Sequence, residues 1–295
     1  MATDSPLEQV DPQDLRFNPT SSRNLFNIAM TGLSSLSILC ALVPLALVLF
    51  YVTANGLNRL DLALFTQLPP APGLPGGGIA NAIAGTLMVV SLASLISVPI
   101  GVMGAIWLAE FSGHDTFIDK GVRFGVNILA GVPSIIAGVF IYGLMVRPGL
   151  PGYSALAGGV ALAVLMLPTI IRTTDEALKI VPQEVRWAAL GIGSSKYQMI
   201  IQVVLPAAIP AILTGVTLAV ARAAGETAPL IFTALFSPFW PNGITNPIAS
   251  LAVLVYNFAT IPFKPQQELA WAASLILVLL VFATSILARF AIRKR

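Results

Sequence analysis

Two opposite charges stand four residues apart in an otherwise apolar stretch: "AVARAAGETAPLI", 219–231, carries Arg222 and Glu226. A charge at the centre of a bilayer-spanning helix costs on the order of 3 kcal/mol even on the lenient insertion scale, so the pair needs a reason to be there. A guanidinium offers a planar fork of donors suited to an oxyanion. A carboxylate four positions on along a helix meets it on one face and lowers the cost of holding both in a low dielectric. Two readings follow. The pair pins its helix to its neighbours, or, with Thr227 beside it, it lines a pathway. In the second reading Arg222 is a positive station, and Glu226 keeps that station from holding its ion too tightly.

Both readings presuppose a membrane, and the composition supports one. Of 295 residues, 56% are hydrophobic and 10% charged, with a mean hydropathy of +0.86. Soluble domains do not have this composition. Charge-free runs at 24–58, 62–109, 124–146, 148–171, 198–221, 227–263 and 269–288 mostly exceed the roughly 20 residues that cross hydrocarbon as a helix. A lone Cys40 and a lone His114 make neither an internal disulfide nor a metal site of the usual kind.

Proline, glycine and charge clusters then divide the chain. The expected fold is an all-α membrane protein of six spans, roughly 25–52, 79–109, 124–145, 155–171, 199–221 running on toward 236, and 269–292. Pro229, Pro238, Pro241, Pro247 and Pro262, with Asn242 and Gly243, break up 227–263. That run reads as the end of a long fifth helix plus a re-entrant or surface loop with a short helix. Residues 1–24 are acidic without an apolar core and read as a disordered tail, not a signal peptide. Residues 25–78 form the first span and an outer loop, and 79–292 a five-helix core. Glycines within the spans allow close helix approach. Pro99, Pro133, Pro168, Pro206 and Pro210 should kink or break several of them.

With six spans, twelve Lys and Arg fall on one side and three, Arg59, Arg147 and Lys264, on the other. The positive-inside rule then places both termini in the cytoplasm. The net charge of +3 and pI near 9.2 follow from this bias and do not indicate nucleic acid.

The longest connection on the basic side, about 173–198, contains a short amphipathic helix. Pro182 suits its first position, Gln183 and Glu184 its first turn, and Val185, Ala188, Ala189 and Ile192 form one apolar stripe. Gly193 supplies a left-handed stop, and Ser194 or Ser195 caps the next helix.

This segment resembles the coupling loop of type I ABC importer permeases, with matches at Ala188, Ala189, Gly193, Val203, Leu205 and Pro206. It departs from the pattern at Trp187, where that family usually has Glu, so the family's glutamate contact does not carry over. "PGGGIANAIAGTL", "SVPIGVMGAIWLAEF", "AGVPSIIAG" and "RAAGETAPL" resemble the phosphate importer permeases of the PstA type, a likeness covering about 25–292. The resemblance implies a non-catalytic membrane subunit that moves inorganic phosphate, with Arg222 and Glu226 at charged positions associated with transport. It implies an ATPase-coupling role for Val185, Ala188, Ala189, Gly193, Leu205 and Pro206. The implied partners are membrane lipid, a related second permease in a heterodimer, two copies of an ATPase subunit, and a periplasmic or lipid-anchored phosphate-binding protein. The implied location is the bacterial inner membrane.

The chain has no Gly-Lys-Ser/Thr phosphate loop, so no ATP or other cofactor is expected in it; the nucleotide would sit on the partner ATPase. No catalytic constellation is apparent. Permeases for molybdate, sulfate or phosphonate share the architecture and remain alternatives. A secondary transporter would need its own coupling groups and inverted repeats, and no obvious repeat is present.

Overall fold

The computed structural model of the chain describes residues 21–112 and 116–293, and within them every regular element is helical. His114 and most of the N-terminal tail lie outside the described residues. The chain divides into residues 1–51 and 52–295. The described part of the first is the helix α1 (Ser22–Gly56), which continues into the second and contains Pro44.

The second unit holds α2 (Leu62–Thr66), α3 (Ala80–Ile106), α4 (Phe117–Gly131), α5 (Ser134–Ile141), α6 (Ala155–Lys179), α7 (Gln183–Gly191), α8 (Lys196–Met199), α9 (Leu205–Ala224), α10 (Ala228–Thr233), α11 (Leu251–Thr260) and α12 (Lys264–Arg293). Side chains cap several of these helices. Asp61 accepts from the amide of Leu64 at 2.7 Å and Ser154 from Ala157 at 3.1 Å. Thr116 and Ser250 do the same for α4 and α11.

Five helices among the described residues are long and apolar enough to cross a membrane, and a bent pair makes a sixth if counted as one span. That pair is α4 with α5, the latter prolonged to Val146 by a π turn (Tyr142–Val146), and the bend between them is 105°. Its cause is local. Pro133 has no amide to donate, and its ring drives Val132 out of the helical region to φ −70, ψ 127. The kinks expected from the prolines therefore include one outright break.

The third and sixth spans begin earlier than expected, at Phe117 and Lys264, and two boundaries that bear on the site differ as well. The fourth span does not stop at Ile171, because α6 runs to Lys179, two turns past the first charge, and ends only ahead of Pro182. The fifth does not run on toward Phe236. It ends at Ala224, where Gly225 closes it, and α10 is a separate short helix. The expected short helix in the following loop is present as α11. Beyond the Tyr142 turn, π turns interrupt two further spans, Trp107–Phe111 after α3 and Ile200–Val204 before α9.

Of the four apolar clusters among the described residues, two hold the body of the bundle together. One joins Val89, Ala93, Leu162, Met166, Ile170, Ala219, Ala223 and Leu230, from α3, α6, α9 and α10. The other joins Leu64 and Ile79 to Leu251, Leu254, Leu269 and Ala273, so α11 and α12 close over the start of α3. Glycine sets the closest approaches. A Cβ at Gly85 would lie 1.8 Å from the carbonyl oxygen of Ala249, and one at Gly215 2.1 Å from Thr173 Oγ1. A backbone oxygen has little room to yield, so Gly85→Val should destabilise the bundle by about 1–3 kcal/mol or more. Thermal unfolding in detergent, followed by size-exclusion chromatography, reads this directly. An unchanged profile would show that α3 and the backbone at Ala249, just ahead of α11, are not locked there.

Candidate functional site

Arg222 lies in the last turn of α9, and Glu226 stands beyond the helix end in the link to α10. The two therefore do not share a helix face, as their spacing suggests. Gly225 turns the chain, and its amide donates to the Arg222 carbonyl at 3.1 Å. Arg222 Nε still comes within 3.6 Å of Glu226 Oε1, a distance that makes an ion pair but not a hydrogen bond. The arginine side chain is 63% exposed and the glutamate 17%. Thr227 is half-buried at the start of α10 and makes no side-chain cap there.

Arg222 faces a cavity of about 280 Å³ lined also by Val132, Thr169, Arg172, Thr173 and Glu176. Glu226 and Thr227 are not on its wall. The cavity sits against the α4–α5 break, with α6 supplying most of its polar lining. Arg172 and Glu176 repeat the spacing of Arg222 and Glu226 one span earlier, and the extension of α6 past Ile171 carries them into the site. The sequence expectation ends the fourth span at Ile171 and so leaves Arg172 in the connection. Its signal, a second Arg-to-Glu step of four at the end of an apolar run, was available. Thr173 Oγ1 donates to the Thr169 carbonyl at 2.9 Å, satisfying itself on its own helix, and Gly215 lets α9 press against it. Two guanidinium groups and one carboxylate thus share a pocket of several water volumes, at about 30 Å³ each, an arrangement suited to a small anion.

The second candidate region is α7. Gly193 has φ +93 and ends the helix as expected, and Ser195 forms a capping box with Gln198. Pro182 is the residue before the helix, not its first. The expected apolar stripe is divided. Ala189 is 6% exposed and packs with Leu178, Val181, Met199 and Val204. Val185, Ala188 and Ile192 point outward, and Ile192 lies past the helix end at 86% exposure. Trp187 and Leu190 are exposed as well, so an apolar surface stands free on this helix. Leu205 packs against the Ala189 cluster, while Pro206 is exposed in the first turn of α9.

Beside α7 lies an ionic network whose carboxylates are buried. Arg186 Nη1 donates to Glu110 Oε1, and its Nη2 donates to the Leu178 carbonyl at 2.7 Å. Arg123 Nε donates to Asp119 at 3.1 Å, its Nη1 to Asp175 at 3.0 Å, and its Nη2 to the Leu108 carbonyl at 3.1 Å. Lys179 also reaches Asp175. No cluster of metal-ligating side chains occurs among the described residues.

Comparison with known proteins adds three findings. The family model for the binding-protein-dependent transport system inner membrane component matches residues 97–295. The chain is 43% identical to the phosphate transport system permease protein PstA of Yersinia pestis, over 89% of this chain and 88% of that protein. It is 42% identical to that of Haemophilus influenzae, over 94% and 96%. Among solved structures, a bacterial alginate ABC transporter chain aligns with a TM-score of 0.63 at 14% identity, covering 92% of this chain and 95% of that one. A chain of the MetNI methionine ABC transporter aligns at 0.57 and 21% identity, covering 74% and 94%. The latter two establish the fold alone.

Proposed function

The chain belongs to the family of binding-protein-dependent transport inner membrane components, and within it to the PstA permeases, and from that premise we propose that it is the membrane subunit through which an ATP-driven importer takes up inorganic phosphate. One observation carries the reading at the level of chemistry. Arg172 and Arg222, brought from two spans to one cavity beside a broken helix, offer two donor forks to a tetrahedral oxyanion. Glu176 on the same wall, and Glu226 within reach of Arg222, moderate the positive potential so that the ion is admitted and released. The broken span supports this placement, since non-helical backbone at membrane depth is tolerated where it lines a hydrated cavity.

The working assembly contains a second, related permease, two ATPase subunits on the face that carries α7, and a binding protein that delivers phosphate from the other side. The ATPase subunits hydrolyse ATP; this chain does not. The exposed apolar residues of α7 form its half of the docking surface. Uptake of labelled phosphate by a strain deleted for its own permease and supplied with this chain and its partners tests the substrate. Competition by phosphate but not by molybdate or sulfate is expected, and preferential competition by either of those would reassign it.

Both termini and α7 lie in the cytoplasm on this reading, by the distribution of Lys and Arg. Impermeant thiol reagents applied to intact cells should then label Leu74→Cys and Asn242→Cys, both exposed positions, and leave Ser194→Cys untouched. Gly73, the neighbour of Leu74, is a poor probe because its φ of +85 suits glycine. Outside labelling at Ser194→Cys would invert the topology.

A further inference from the structure

Two arginines outside the cavity, Arg186 buried and Arg123 partly buried, converge on one short stretch of backbone, the π turn Trp107–Phe111 at the end of α3. Arg186 of α7 grips its Glu110 side chain, which is 5% exposed. Arg123 of α4 takes its Leu108 carbonyl. Each arginine has a further bond to α6. Arg186 reaches the Leu178 carbonyl in the last turn, and Arg123 reaches Asp175 one turn earlier. A single turn of α3 therefore ties α7, α4 and α6 together through charged groups. The adjoining apolar cluster, Ala189 with Leu178 and Val181, fastens α7 along its other edge.

This junction is not built for stability alone. Arg186 Nε and Asp175 Oδ1 are buried without a hydrogen-bond partner among the described residues, a cost that apolar packing of the same volume avoids. Single π turns tend to occur where a helix performs a task. The geometry on either side indicates the task. On one side is the exposed α7 surface. On the other, Arg172 and Glu176 flank Asp175 on α6 and face the cavity.

We propose that the Trp107–Phe111 turn, clamped by Arg186 and Arg123, is the joint that carries a displacement of α7 into α4 and α6, and so to the walls of the Arg172–Arg222 cavity. Arg186, Glu110 and Arg123 are positioning residues, and they touch no substrate. The inference rests on the transport reading above.

The test uses the complete transporter, with both permeases, the ATPase and the binding protein, in proteoliposomes, recording labelled phosphate taken up and ATP hydrolysed in the same vesicles. Arg186→Lys keeps the charge but has no planar fork to reach Glu110 and the Leu178 carbonyl together. It should lower phosphate moved per ATP by about fivefold or more, the low end of usual coupling factors, with ATP hydrolysis near the parent's rate. Glu110→Gln should do the same. A merely structural role would depress uptake and hydrolysis together and leave the ratio unchanged, and that result overturns the proposal. A second arm guards against failure to assemble. In the doubly substituted Glu110→Cys, Arg186→Cys protein, a short bis-maleimide bridge should restore the ratio toward the parent's, because the joint moves as one piece. A bridge that stops transport overturns it as well. Failure of the unmodified complex to take up phosphate would instead refute the transport reading.

Discussion

Replacing Arg222 by Gln is expected to cut phosphate uptake by about 10- to 100-fold in protein that assembles normally, from the roughly 1.5–3 kcal/mol that a hydrogen bond to a charged group contributes. Arg172→Gln should have an effect of the same order. The informative variant is the exchange, Arg222→Glu with Glu226→Arg. Were the pair a structural pin, the exchanged ions would keep an attraction and activity would return. The geometry argues against a pin. The two groups sit 3.6 Å apart without a hydrogen bond, one of them is mostly exposed, and pairs of this kind contribute about 0–1 kcal/mol. The exchange also places a carboxylate in the last turn of α9, an unfavourable end of the helix dipole but by no more than about 1 kcal/mol. The fold should therefore survive while the cavity loses its second cation. Full uptake by the exchanged protein, or by assembled Arg222→Gln, would exclude a pathway role for this residue.

The second large effect is expected on α7. Ala188→Glu and Ile192→Glu put a charge on the exposed apolar face and leave the buried side of the helix intact. If that face seats the ATPase, either change should weaken retention of the ATPase by about 30-fold or more, the scale of an interface hot spot of 2 kcal/mol. Membrane abundance of the permease should be unchanged. Ala189→Glu is a different experiment, because it forces a charge among Leu178, Met199 and Val204 and damages the chain itself. Gly193→Val strains the helix stop, at φ +93, and should perturb the same region. Pull-down of the ATPase subunit, with permease level as the control, separates these cases. Normal retention and transport by Ile192→Glu would leave α7 an interfacial helix and nothing more.

Much of this architecture is legible in the chain, for identifiable reasons. Long apolar runs must be helical in hydrocarbon, so the spans, the short helix of the 227–263 region and the α7 unit follow from hydropathy and turn chemistry. What misled was treating the first charge as the end of a span. A helix does not stop at Arg172 because it leaves the apolar layer; it stops where backbone chemistry ends it, ahead of Pro182 for α6 and at Gly225 for α9. Without that distinction Arg172 and Glu176 fall outside the site and Glu226 falls wrongly on the helix of Arg222. The division of the α7 stripe was not legible either. Which of Val185, Ala188, Ala189 and Ile192 faces inward depends on how Arg186 is anchored to Glu110, a contact across 76 residues. Single π turns leave no periodic mark in a sequence.

The broken span has a consequence for the order in which this protein is made. At about 1.5 Å per residue, the 15-residue α4 reaches some 22 Å, short of the roughly 30 Å of hydrocarbon, and it bears Asp119, Lys120 and Arg123. It is a poor candidate to settle in the bilayer unaided. Its ionic partner on α6, Asp175, lies 52 residues downstream of Arg123. At about 5–20 residues per second the ribosome needs several seconds to deliver it. For that interval α4 must wait at the insertion machinery or at the membrane surface with Arg123 offered Asp119 and the Leu108 carbonyl but not Asp175. Its final seat exists only once α6 has emerged, so the wall of the cavity is completed from its later half backwards.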